Sequence, residues 1–236
     1  MKFSHLLFVA TVSSVLAVDD DTIGFGPYFS LGPTASWIRS AKTTLVLPKI
    51  PSPATERLAL WPGMGTSGDD LIQALAVSFS DPKANCGATA GQWCVWASTL
   101  QDGTQLYGKQ AQANAGDKIL MSYTYNDGTG KYDQTVSVNG KQVSTLSTSS
   151  GHAQGWGTAV ECQAQACDST VAAHTYIDTT ITLNAADTTF AKTLALNKAT
   201  STGLKTTDNK VFTVVPCQVA NMQKQTINIG AHTFNL

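Results

Sequence analysis

Charge is scarce in this sequence. Only 13% of its 236 residues are charged, and 15 Lys and Arg side chains against 16 Asp and Glu give a net charge of -1. The chain has no basic patch and no run of like charge, which argues against binding to nucleic acid or to an anionic membrane surface. It also lacks long helical periodicity and is rich in threonine, serine and glycine. We therefore predict an all-β protein.

Several familiar motifs are missing as well. The sequence contains no Gly-x-Ser-x-Gly, His-Glu-x-x-His or Asp-Thr-Gly, which excludes serine hydrolases, zincins and the pepsin-type pair of aspartates. His152, His174 and His232 do not have the spacing of metal ligands, so we expect no metal and no cofactor. No Asn-x-Ser/Thr sequon occurs, and we expect no N-glycosylation.

The amino terminus has the pattern of a signal peptide. A short basic start is followed by an apolar stretch that Thr and Ser interrupt, and the small-residue cleavage pattern lies at residues 15–17. We predict a signal peptide over residues 1–17, a short flexible leader over 18–33 and a single domain over 34–236. No other apolar run approaches the length of a membrane span, so we expect a secreted, extracellular, monomeric protein with no membrane partner.

Five cysteines in a secreted chain allow at most two disulfides and leave one thiol over. Cys86 with Cys94 and Cys162 with Cys167 are the short-range candidates. A longer bridge from Cys217 to Cys162 or Cys167 is an open alternative, because spacing does not decide between them.

Alternating apolar residues and turn signals predict the strands. Asp127-Gly128 and Asn139-Gly140 are hairpin signals that enclose an alternating strand, Tyr132 to Val138. Further upstream, a strand ending at Trp61 leads through a Gly/Asp-rich turn into a second apolar strand that contains Gln73. Alternation places Gln73 on one face of that strand and its neighbours Ile72 and Ala74 on the other.

Two stretches carry a family resemblance. Leu60-Trp61-Pro62-Gly63-Met64, the turn, and Leu71-Ile72-Gln73 resemble the segment that bears the catalytic glutamine of the glutamic peptidases (eqolisins, peptidase family G1/A4). Ala173-His174-Thr175-Tyr176-Ile177-Asp178 is similar to the segment that bears their catalytic glutamate, with Asp178 in place of that residue. The resemblance implies a two-sheet antiparallel β-sandwich, concanavalin A-like or jelly-roll, and an acid endopeptidase in which Gln73 and Asp178 form the catalytic pair. It then requires both side chains to point into one groove from neighbouring strands.

The resemblance also suggests residues that bind a substrate. Trp93 and Trp96 stand where the peptidases have a Trp-Tyr-Glu-Trp stretch, and we add Trp61 and Tyr176 as candidates. Since residues three apart on a strand point to opposite faces, at most one of Trp93 and Trp96 can line the groove. The substrate would be a polypeptide. One alternative is a non-catalytic sandwich that binds a cell-wall polysaccharide through these aromatic rings, and a more distant one is a jelly-roll polysaccharide lyase. The remaining alternative is that neither residue is catalytic: Asp178 then faces water and Gln73 has only a structural role.

Overall fold

The structure, a computed structural model, describes residues 22–164, 167–214 and 226–235. Antiparallel strands make up most of this part of the chain, and within it no helix is long and apolar enough to cross a membrane. One short α-helix (Pro82–Cys86) and one 3-10 helix (Phe190–Thr193) accompany the strands. In chain order the strands are β1 (Thr22–Phe25), β2 (Tyr28–Leu31), β3 (Ile38–Val46), β4 (Arg57–Thr66), β5 (Leu71–Phe79), β6 (Trp93–Gln101), β7 (Thr104–Tyr107), β8 (Ala111–Ala113), β9 (Lys118–Asn126), β10 (Lys131–Val138), β11 (Lys141–Thr148), β12 (Ala153–Ala164), β13 (Asp168–Val171), β14 (His174–Leu183), β15 (Ala195–Asn197), β16 (Ala199–Ser201), β17 (Leu204–Lys205), β18 (Val211–Val214), β19 (Thr226–Ile229) and β20 (His232–Asn235).

The strands form a sandwich of two antiparallel layers. In the first layer β6 pairs with β5, β5 with β4 and β4 with β12, and β12 is flanked by β1 and β2. In the second layer the order is β11, β10, β9, β3 and β14, with β18 and β19 beyond β14. The pairing of Ala153 of β12 with Ile38 of β3 connects the layers, β2 also pairs with β15, and β16 pairs with β19. Strand β13 pairs separately with β20. The predicted all-β sandwich is confirmed.

Two apolar clusters lie on opposite faces of the first layer. The main core fills the space between the layers, where Ile72 and Ala74 of β5 lie with Trp93 of β6. A smaller cluster on the outer face contains Leu75 of β5 and Trp96 of β6. Strand alternation therefore operates as the sequence predicted, and the outer face of this layer is the surface on which the candidate site lies.

The structure confirms the predicted hairpin turns and the two short-range disulfides. Asn126 to Gly130 and Asn139-Gly140 connect β9, β10 and β11, and Asn139 and Gly140 both have positive φ, as such a turn requires. Disulfides join Cys86 to Cys94 and Cys162 to Cys167. Cys217 lies outside the described residues.

The prediction of a flexible leader over residues 18–33 is wrong for the part that the structure describes. Residues 22–25 form β1 and pair with the end of β12, and residues 28–31 form β2 and pair with its middle. Phe29 and Leu31 are buried in the main core. The Gly and Pro residues that suggested disorder instead separate two short edge strands.

His174 is a buried histidine that opposes stability in acid. Its Nε2 atom has no hydrogen-bond partner, its Nδ1 lies 3.1 Å from the carbonyl oxygen of Ala172, and burial lowers its pKa from 6.5 to about 4. The unfolded chain therefore binds one proton more than the folded chain between these two pH values, and the free energy of unfolding should fall by about 3 kcal/mol as the pH drops through that window. His174→Gln should remove this dependence in denaturant titrations at pH 7 and pH 4. An unchanged pH slope in the variant would contradict the assignment.

Candidate active site

Gln73 lies on the outer face of the first layer, as the sequence predicted. It is 5% exposed and pairs in register with Gly63 of β4 and Ser98 of β6. Gly63 in turn pairs with Gly157 of β12. Since paired residues of an antiparallel sheet share a face, two glycines follow Gln73 across the sheet. Neighbouring groups fill the space that side chains would take there: Trp61 and Leu71 pack against Gly63, and the backbone of β2 at Phe29 lies against Gly157.

Asp178 is not brought together with Gln73. It belongs to β14 in the second layer, whose strand partners are β3, β18 and β19, and none of these pairs with β5. Its side chain is exposed, and its backbone has a φ of 57° within an irregularity of the pairing between Ile177 and Thr180. The predicted placement on a strand next to Gln73 is therefore wrong, and the pairing of these two residues has no geometric basis.

The structure places another carboxyl group, Glu161 of β12, on the face that carries Gln73. Glu161 pairs with Ala59 of β4 and is only 5% exposed. One carboxylate oxygen, Oε2, accepts a hydrogen bond of 2.7 Å from Nε1 of Trp61. The other, Oε1, accepts a short hydrogen bond from Nε2 of Gln163, two residues further along the same strand. The carboxyl group is thus held at both oxygens.

Burial raises the pKa of the Glu161 carboxyl above its usual value of 4.5. The hydrogen bonds from Trp61 and Gln163 and the positive charge of Arg57 favour the carboxylate and oppose this shift, but the loss of hydration is the larger effect. A carboxyl group whose pKa is raised in this way is suited to both accepting and donating a proton in mild acid.

Glu161 and Gln73 line one open groove on the outer face of the first layer. Its walls combine amide side chains, one guanidinium and small or branched apolar residues: Arg57, Ala59, Gln73, Leu75, Val77, Gln105, Glu161 and Gln163. Arg57 donates from Nη1 to Oε1 of Gln163 over 3.1 Å, so the cation contacts the amide that holds Glu161. In the described part of the chain, no three metal-ligating side chains are close enough to hold an ion.

The four aromatic candidates have different positions. Trp61 is half-buried at the groove and bonds to Glu161. Trp96 lies on the same face but is only 2% exposed, packed beside Phe79. Trp93 and Tyr176 are fully buried in the main core, where neither can contact a substrate, so their assignment as binding residues is wrong. The prediction that Trp93 and Trp96 point to opposite faces is confirmed.

Sequence motifs do not single out Glu161. The signal that could have found it is Ala159-Val160-Glu161, a small and apolar run ended by a glutamate on a strand that follows a glycine-rich stretch. The segment from Ala173 to Asp178 is more similar to the segment that bears the catalytic glutamate of the glutamic peptidases. The resemblance therefore pointed to Asp178 and not to Glu161. Only the pairing of β12 with β4 distinguishes the two segments.

Solved structures of other proteins share the fold of this chain, although no sequence comparison finds a relative. No family model matches the sequence, and no curated protein sequence matches it. Among solved structures, scytalido-glutamic peptidase with a transition-state analogue inhibitor is similar, with a TM-score of 0.54 and 16% identity over 91% of this chain and 100% of that chain. SCP-B, a member of the eqolisin family of peptidases in complex with the tripeptide Ala-Ile-His, has a TM-score of 0.51 and 15% identity with the same coverage. The chain therefore has the fold of the glutamic peptidases.

Proposed function

We propose that the chain is a secreted endopeptidase that acts in acid, with Glu161 as the group that activates water. The observation that carries this proposal is the position of Glu161, a buried carboxyl with a raised pKa, at an open groove. Such a perturbed carboxyl in a cleft is a candidate for acid–base chemistry. The likeness of the fold to two peptidases, one bound to an inhibitor and one to a tripeptide, makes peptide hydrolysis the reaction to test first.

The reaction needs one carboxyl group in two protonation states. As a carboxylate, Glu161 takes a proton from a water molecule whose oxygen attacks the peptide carbonyl carbon. The carbonyl oxygen becomes an oxyanion that neighbouring N–H groups stabilise. Glu161 then returns the proton to the leaving nitrogen as the C–N bond breaks, which yields a carboxylic acid and an amine. A raised pKa lets both states of Glu161 be populated in mild acid.

The groove crosses three neighbouring strands. Most of its lining residues come from β5, β4 and β12, and Ala59 lies between Val77 and Glu161 in one row across the sheet. The small side chain of Ala59 keeps the floor of the groove low beside Glu161. We therefore infer that substrates bind across these strands and pass Glu161.

Secretion forms part of the proposal. Two disulfides are consistent with an oxidising compartment, and the amino-terminal pattern of residues 1–17 is that of a signal peptide. Those first residues lie outside the described part of the chain.

The first test is an assay of the purified secreted chain on an acid-denatured protein. We expect internal cleavage that is fastest in mild acid, at a pH above about 4, and that declines toward neutrality, because only one titrating carboxyl serves as base and acid. Asp178→Asn should cleave at the wild-type rate, since Asp178 is exposed in the other layer.

Two outcomes would contradict the proposal. One is a wild-type protein that does not cleave across the acid range but sediments with insoluble glucan, which would favour the polysaccharide-binding alternative. The burial of Trp93, Trp96 and Tyr176 gives that alternative little aromatic surface. The other is loss of cleavage in Asp178→Asn, which would restore a role for Asp178.

A further inference from the structure

A continuous series of hydrogen bonds links four side chains in the groove. Arg57 donates to Oε1 of Gln163, Gln163 donates from Nε2 to Oε1 of Glu161, and Trp61 donates to Oε2 of the same carboxyl. The register of β12 with β4 makes this possible, because Gln163 pairs with Arg57 and Glu161 pairs with Ala59. Gln163 and Glu161 are two residues apart on one strand and thus share a face.

The guanidinium of Arg57 determines which way the Gln163 amide points. A guanidinium has donors only, so the amide oxygen must face Arg57 and the NH2 group must face Glu161. Arg57 is itself held, with its guanidinium carbon 5.5 Å from the ring centroid of Phe79. The NH2 group has two hydrogens, and the hydrogen bond to Glu161 uses one of them.

Gln73 has no comparable relation to Glu161. Gln73 belongs to the row of Gly63 and Gly157, whereas Glu161 belongs to the row of Ala59, four residues further along the strands. At about 3.3 Å per residue the two rows are about 13 Å apart. No hydrogen bond connects the two side chains, and the strand β4 lies between them.

We propose that Gln163, oriented by Arg57, is the amide that works with Glu161, in place of Gln73. Gln163 positions the carboxyl group through one N–H and presents its second N–H to the oxyanion of the tetrahedral intermediate. The assignment rests on the proposed peptidase function. Gln73 then serves as a groove residue that contacts substrate at a distance from the reacting bond.

The test compares Gln163→Leu with Gln73→Leu as a matched pair in the full-length secreted protein. Turnover and KM are measured on one peptide substrate from about pH 3 to 7. Loss of an oxyanion donor costs about 100- to 1000-fold in kcat, which we expect for Gln163→Leu. Gln73 lines the groove, so we expect Gln73→Leu to act on KM and not on kcat. A merely structural role would leave the pH profile in place. The loss of a donor to the carboxylate should instead shift the acidic limb of Gln163→Leu to higher pH.

Variants and a spectroscopic readout separate the ways in which the assignment can fail. Arg57→Leu should give a smaller loss than Gln163→Leu, because the amide remains but can turn either way. A larger kcat loss in Gln73→Leu than in Gln163→Leu, with Glu161→Gln inactive, would overturn the role of Gln163 and leave the peptidase function standing. Retained activity in Glu161→Gln would overturn the function itself. A carbon NMR titration of the Glu161 carboxyl tests the positioning role by itself, since Gln163→Leu must raise its pKa, and an unchanged pKa would overturn that role.

Discussion

Glu161→Gln is expected to abolish peptide hydrolysis while the protein stays folded. General acid–base catalysis contributes about 100- to 10,000-fold to enzymatic rates, and Glu161 is the carboxyl that would supply both steps. Glutamine has nearly the same shape and keeps the hydrogen bond from Trp61, but its NH2 group then faces the NH2 group of Gln163, so this one contact is lost. Circular dichroism should confirm that the variant is folded. The measurement is kcat on one peptide substrate at the wild-type optimum. Residual activity within tenfold of wild type would show that another group activates the water.

The stability of the same variant relative to wild type should rise between pH 4 and neutral pH. Because burial raises the pKa of Glu161, the folded state holds its proton to a higher pH than the unfolded state does. Its stabilising contribution is therefore complete below about pH 4.5 and is lost as the pH rises through the folded pKa. Denaturant titrations should show the advantage of Glu161→Gln growing from pH 4 to pH 7. A wild-type protein that gains on the variant over this range would mean that the carboxylate is well solvated.

Trp93→Ala is expected to cost about 3 to 5 kcal/mol of unfolding free energy. Trp93 is fully buried between the layers, and its Nε1 donates a 3.0 Å hydrogen bond to the carbonyl oxygen of Pro48. The substitution leaves a large cavity and removes the partner of a buried carbonyl. Since whole domains are stable by about 5 to 15 kcal/mol, the variant should melt at a much lower temperature than wild type.

Tyr107→Ala serves as the control for Trp93→Ala. Tyr107 is 65% exposed on β7, and its truncation should change the free energy of unfolding by less than about 0.5 kcal/mol. Both variants are measured by the same denaturant titration. A loss below about 1 kcal/mol in Trp93→Ala would indicate that its pocket collapses or fills with solvent, against the packing described above.

Two buried titratable groups make the stability of this protein depend on pH in opposite directions. His174 makes the folded state less stable as the pH falls, because the buried ring stays neutral while the unfolded chain takes up a proton. Glu161 has the reverse effect, because its protonated form is the one that burial favours. The stability lost through His174 accumulates between about pH 6.5 and pH 4 and remains lost below that range, so Glu161 offsets part of it in acid.

Local features of this protein were predictable from the sequence because their physics is local. Asn139 and Gly140 adopt positive φ at little cost, so they mark a hairpin whatever surrounds them. Cys86 with Cys94 and Cys162 with Cys167 were candidates from their short separation, but only the structure decided that Cys162 bonds to Cys167. Side chains alternate between the two faces of a strand, which correctly placed Gln73 opposite Ile72 and Trp93 opposite Trp96.

The candidate site was decided by tertiary structure. A strand pattern shows that two residues share a face, but it does not show which strand lies beside which. Glu161 reaches the groove because β12 pairs with β4, about a hundred residues earlier in the chain, and Asp178 is excluded because β14 pairs with β3. Two segments with similar local patterns, ending in Glu161 and Asp178, are thus assigned to different layers by long-range pairing and burial, which no short window of sequence encodes.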